Sequence, residues 1–229
     1  MVLPLLLSLL VTQELPREAE LRRQRDTWKG IAEHSKHDSE AWHKVAGFEL
    51  ELGNPDAALE AASKAIAMFP KYAAAYATRA RAHFNKKSWG ACRKDCDTVI
   101  ELLEAKGGMK RFIELERPPA HYIASYRLRG LAWSWESAWE PALADFASAL
   151  KLDRNNAQLH GERAYLAEKA GRKADAVEGW LRAGLLHADA RAAAKAQEAA
   201  GNLERLGAKK EAAQVRAKVE EGRPKSDLP

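Results

Sequence analysis

One residue pattern recurs along this chain at a spacing of 34, and that period limits the folds open to it. One period after Trp42 stands Tyr76, Ala58 is followed by Cys92, and Ala65 by Val99. Beyond an interruption the phase resumes with Tyr126 and His160, Ala142 and Ala176, and Ala149 and Ala183. A fixed period of roughly 20–50 residues marks a chain of stacked units, each burying its apolar face against its neighbours. Such a chain offers a surface to a partner more readily than a pocket to a substrate. Ala, Leu, Glu, Lys and Arg dominate while β-branched residues are sparse, so the units are expected to be helical. An apolar fraction of 46% against 30% charged residues fits a folded protein rather than a disordered one. A net charge of +5 over 229 residues is too small to imply nucleic acid without a clustered basic face.

Breakers and caps divide the chain. Residues 1–16 hold an apolar run of about ten residues, too short to span a membrane. It resembles the core of a signal peptide, but it lacks a basic start and a small-residue cleavage site. Two readings stay open: a cytoplasmic protein, or an exported one if residues 1–13 act as a signal. Pro4 is expected to keep the start of the run out of regular helix. Residues 17–38 read as an N-terminal helix with an apolar stripe of Leu21, Trp28 and Ile31, and Asp38 or Ser39 can cap the next helix.

The units follow. Residues 39–72 read as helix, turn at Gly53-Asn54, helix, and a stop at Pro70; residues 73–106 repeat the plan with Lys87-Ser88 at the turn. An insertion at 107–122 begins with Gly107-Gly108 and contains Pro118-Pro119. Its KRFIELERPP stretch is amphipathic and is a candidate to fold over one edge of the repeat surface. Residues 123–156 and 157–190 restore the plan, the latter turning at Gly171-Arg172. A weaker, more polar unit fits 193–226 with Gly207 at its turn, shifted by two residues. Residues 227–229 end a tail, from Gly222, that is expected to fray.

With these residues in place, the chain resembles the tetratricopeptide repeat, a 34-residue helix–turn–helix unit with an early aromatic, small residues at fixed contacts and often a late proline. The first unit carries Trp42, Val45, Ala46, Gly53, Ala58, Ala62, Ala65 and Pro70. The third carries Tyr126, Gly130, Trp133, Ala142, Phe146 and Ala149; the fourth carries Ala164, Gly171, Ala176, Trp180 and Ala183. Small side chains at Ala46, Ala80, Gly130 and Ala164 would let paired helices approach closely. The resemblance implies an all-α, right-handed solenoid of stacked antiparallel helix pairs, four to five units long. It departs from the family pattern at Glu104 and Arg154, which stand where the late proline usually falls.

The resemblance also implies that the first helix of each unit lines a concave groove. Carried over by position, that groove would present Glu40, His43 and Gly47; Ala77, Arg81, Phe84 and Asn85; Arg127, Leu131, Ser134 and Trp135; and Gly161, Tyr165 and Lys169. Arg81 and Arg127 beside Phe84, Trp135 and Tyr165 suit a partner segment with acidic and apolar side chains, because arginine forks and rigid rings dominate binding hot spots. The alternative is that these are solvated arginines and rings packed between units. Some family members hold a terminal carboxylate with a clamp of lysines and asparagines; here His43, Gly47 and Thr78 stand at those positions, so the clamp is absent.

Other candidate chemistry is thin. Cys92 and Cys96 fall on packing positions equivalent to Ala58 and Ala62, where buried cysteine acts as a small hydrophobe. His34, His37, Asp38 and His43 lie near one another, but no second cluster supplies the further ligands that zinc requires. The sequence shows no nucleophile elbow, phosphate loop, dinucleotide glycine pattern or zinc-protease helix. No cofactor or metal is therefore expected, and no enzymatic activity. The leading reading is a protein–protein interaction scaffold or adaptor that holds a partner segment in its groove. Its rivals are a helical-repeat RNA-binding protein, disfavoured by the lack of a recurring polar code on the helices, and a non-catalytic accessory subunit of an enzyme complex.

Overall fold

The computed structural model describes residues 3–35, 38–109 and 119–222. Among them lie eleven α-helices. The chain divides into two compact units, Met1–Lys106 and Gly107–Pro229. The first contains α1 (Leu3–His34), α2 (Ser39–Glu51), α3 (Pro55–Met68), α4 (Ala73–Asn85) and α5 (Trp89–Glu104). The second contains α6 (Ala120–Trp135), α7 (Trp139–Leu152), α8 (Ala157–Lys169), α9 (Lys173–Asp189), α10 (Ala193–Arg205) and α11 (Lys209–Glu221). Within each unit every helix packs on the next in chain order, and α9 also reaches α11. The molecule is thus built of helix hairpins packed in series: α2/α3 and α4/α5 in the first unit, and α6/α7, α8/α9 and α10/α11 in the second.

Small side chains set the spacing. Ala46, Ala80 and Ala164 are fully buried, and a Cβ placed on Gly130 would lie 3.0 Å from the Phe146 ring. Cys92 and Cys96 are fully buried, outside any disulfide, at the equivalents of Ala58 and Ala62, which are also fully buried. Each hairpin turns through a residue of left-handed backbone: Gly53, Lys87, Ser137, Gly171 and Gly207, with φ between 58° and 81°. At each of these turns the amide that follows bonds back to a carbonyl in the last turn of the first helix, as from Asn54 to Glu49 at 2.8 Å and from Ser88 to His83 at 2.9 Å. Asp38 caps α2 by accepting from the Ala41 amide at 2.8 Å.

Three local expectations change. Helix α1 starts at Leu3 rather than after the apolar run, because a proline in the first helical turn gives up no intrahelical bond. It continues through Pro16, at the expense of the helical hydrogen bond this residue cannot donate. Its inner face is Trp28 and Ala32, packed with Trp42 and Val45, while Ile31 is 41% exposed. Arg25, one turn before Trp28, donates to the buried Glu49 at 3.2 Å. The insertion ends earlier than residue 122: α6 begins at Ala120, and Tyr122 is fully buried in its first turn. Residues 110–118 of the insertion, His37, and tail residues 223–229 lie outside the described residues.

Among the described residues no helix is long and apolar enough to cross a membrane. The terminal hairpin buries Ala196, Ala200, Leu203, Ala212, Val215 and Val219, while most of the rest of α11 is polar and exposed.

Candidate functional site

In the first unit, α2 and α4 carry His43, Arg81 and Phe84. The His43 ring is locked: the Tyr72 hydroxyl lies 3.1 Å from Nδ1, Nε2 lies 3.0 Å from Thr78 Oγ1, and the Tyr72 ring meets it edge-on at 5.1 Å. Burial, followed by the charges of Glu40 and Asp38, raises the Tyr72 pKa, so the phenol stays protonated. Phe84 is half-buried, its ring edge-on to Trp89 at 5.0 Å. Arg81 is exposed.

In the second unit, Arg127 is already engaged. Its Nε and Nη2 donate to the two carboxylate oxygens of Glu162 on α8 at 2.6 and 2.5 Å, and Gln158 donates to the same carboxylate at 2.9 Å. The fork that could receive a partner's carboxylate is filled from the neighbouring hairpin. Trp135 and Tyr165 are different: they are 64% and 51% exposed, high values for large rings. The Lys169 ammonium lies 5.1 Å from the centre of the Tyr165 ring.

Between these two rings opens a cavity of about 570 Å³, lined by Leu131, Ser134, Trp135, Ser137, Trp139, Gly161, Glu162, Tyr165, Leu166, Lys169 and Trp180. That volume lies in the range of pockets that hold a small ligand or a side-chain anchor. Its walls are mostly aromatic and aliphatic, with a carboxylate and an ammonium at the edge. Gly161 shapes it, since a Cβ there would approach the Trp180 ring to 3.2 Å. Trp180 is held in turn by its indole N–H, which donates to Glu168 at 2.6 Å, and Glu168 also accepts from Arg205 at 2.7 Å. Trp180, a repeat-pattern residue in the sequence, is therefore also a wall of the cavity, and so is Trp139. The signal for Trp180 was a glycine at 161 facing a large ring on the paired helix.

Of the residues considered for a metal, the three described ones are occupied otherwise. The His34 ring bonds the Gly30 carbonyl at 2.7 Å, Asp38 caps α2, and His43 is held by Tyr72 and Thr78. Among the described residues no group of three or more His, Cys, Asp or Glu side chains is placed to hold a metal ion.

Serial helix hairpins, small residues at their crossings and a left-handed turn in each decide the fold. The chain has the tetratricopeptide-repeat fold. Solved structures agree at low sequence identity. MamA matches 74% of this chain and 90% of its own, with a TM-score of 0.60 and 15% identity. YrrB, described as a tetratricopeptide-repeat protein with an unusual peptide-binding site, matches 86% of this chain and 93% of its own, with a TM-score of 0.57 and 14% identity. PilF of Pseudomonas aeruginosa matches 90% and 94%, with a TM-score of 0.60 and 15% identity. No family model matches the sequence, and no curated protein matches it.

Proposed function

We propose that this protein is a non-catalytic interaction scaffold that holds a segment of a partner polypeptide, with an apolar side chain of that segment seated between Trp135 and Tyr165. The observation that carries the reading is the 570 Å³ apolar cavity between α6/α7 and α8/α9, with two exposed rings at its mouth. Exposed rings beside a concave apolar wall are the usual anchor sites of protein interfaces, since they offer large area at little conformational cost. The fold shared with YrrB, whose description names a peptide-binding site, supports the same reading. Acidic residues in the segment would meet Lys169, whose ammonium lies beside the Tyr165 ring. Arg127 would take part only by exchanging Glu162 for the incoming carboxylate.

The partner class is tested by display selection of peptides on the purified protein, alongside titration with single-stranded RNA across a salt series. Peptides with an apolar anchor are expected to be enriched and to lose less than about tenfold in affinity between 50 and 200 mM salt, whereas a protein contacting many phosphates loses about a thousandfold or more. RNA binding of that steepness, with no peptide enriched, would refute the scaffold reading.

A further inference from the structure

Three hairpins carry an arginine at one recurring position of their first helix, and the third treats it differently. Arg79 on α4 grips Asp95 on α5, with Nε and Nη2 donating at 2.8 and 2.7 Å. Arg129 on α6 grips Asp145 on α7 in the same way, at 2.9 and 2.6 Å. Both aspartates are buried. Arg163 on α8 stands one 34-residue period after Arg129, but the residue one period after Asp145 is Gly179. Packing accounts for the exchange: a Cβ at 179 would lie 2.8 Å from the Ala164 Cβ and 3.2 Å from the His160 carbonyl. In this hairpin the helices come too close for an aspartate, yet the guanidinium remains.

Two consequences meet at that point. Among the described residues, Arg163 Nε is the one buried side-chain nitrogen or oxygen with no hydrogen-bond partner. A donor left in that state is costly and calls for an acceptor. Arg163 also lines a cavity of about 290 Å³, with Gly179 and His160 beside it and Arg154, Glu178 and Arg182 exposed at its rim. Arg182 donates to Asn155 at 3.0 Å, and the His160 Nε2–H donates to the Arg154 carbonyl at 2.9 Å. Three guanidinium groups face one carboxylate across this opening, which is separate from the aromatic cavity.

We propose that this second cavity binds a carboxylate supplied by a partner polypeptide, an aspartate or glutamate side chain taking the place that Asp95 and Asp145 fill in the other hairpins. The arginine fork matches a carboxylate in two parallel bonds, and the rim arginines add charge without filling the space. The proposal rests on the reading of the protein as a polypeptide binder, but not on the aromatic cavity.

The test follows the Arg163 Nε–H signal by NMR during titration with a blocked Gly-Asp-Gly peptide, its Gly-Asn-Gly counterpart, and inorganic phosphate. The expected result is a saturable shift with the aspartyl peptide alone, weakened at least tenfold by Arg182→Gln at an unchanged thermal transition. A second readout is the His160 ring. Burial, then Arg182 and Arg163, hold its pKa below the usual range against the opposing pull of the Arg154 carbonyl and Glu178. A bound carboxylate moves that pKa back up. No saturable response to the aspartyl peptide, or saturation by phosphate at lower concentration, would overturn the proposal. Trp135→Ala leaves this titration unchanged, so failure here and failure of the aromatic cavity to bind are separate results.

Discussion

At the scale of single residues, three histidines report on packing through their protonation. His83, His160 and His187 are half-buried, and in each burial is the largest cause of a pKa below the usual imidazole value. For His83 the nearby Arg79 and Lys86 add to the effect while Asp95 opposes it; for His187 Lys195 adds and Glu198 opposes. The unfolded chain therefore binds protons at these sites at a pH where the folded chain does not. Stability from them is full above the unfolded imidazole value of about 6.5 and falls as pH drops toward the lower folded values. Urea midpoints are expected to stay level from pH 8 to about 7 and to decline below about 6.5. Midpoints that rise on acidification over that window would contradict the burial assigned to these rings. The arginines show how contacts escape sequence reading. Arg127 and Glu162 are 35 residues apart, one position off the repeat's own phase, so aligning units pairs Arg127 with Gly161 and hides the ion pair.

At the scale of elements, the hairpin turn is the most legible feature, and the same turn shows where legibility ends. Gly53, Gly171 and Gly207 announce left-handed backbone by their identity. Lys87 and Ser137 hold the same conformation at φ 58°, and only their phase in the repeat marks them. A side chain in that region costs about 1 kcal/mol or more. Lys87→Gly and Ser137→Gly are each expected to stabilise by up to about 1 kcal/mol, less the entropy glycine adds to the unfolded chain. Thermal scans should show a rise of about 2–4 °C per kcal/mol for a chain of this size. A fall in both variants would mean that the side chains at 87 and 137 contribute more than the backbone strain they impose. Less legible was the face of α1. Ile31 and Ala32 are adjacent, and composition favours burying the isoleucine, yet the small residue fits the approach to Trp42 and Val45. Close packing, not hydrophobicity alone, chose between them.

At the scale of the molecule, the 34-residue period accounts for the serial hairpins, the buried cysteines and the small residues at helix crossings. What it does not account for is chemistry placed on that frame: two exposed rings over an aromatic cavity, and an arginine whose aspartate has been replaced by glycine. Both lie in the second unit, and both arise where one repeat departs from its neighbours. On the proposed function, binding falls within residues 120–189, and the period is the scaffold that positions them. Its central claim is that Trp135 and Tyr165 anchor a partner segment. The direct measurement is the affinity of a selected peptide for the wild type, Trp135→Ala and Tyr165→Ala, with each variant's thermal transition recorded. The account predicts a loss of at least about tenfold in each variant, as expected of an aromatic hot spot, at little change in stability because both rings are already exposed. Wild-type affinity in both variants would contradict it.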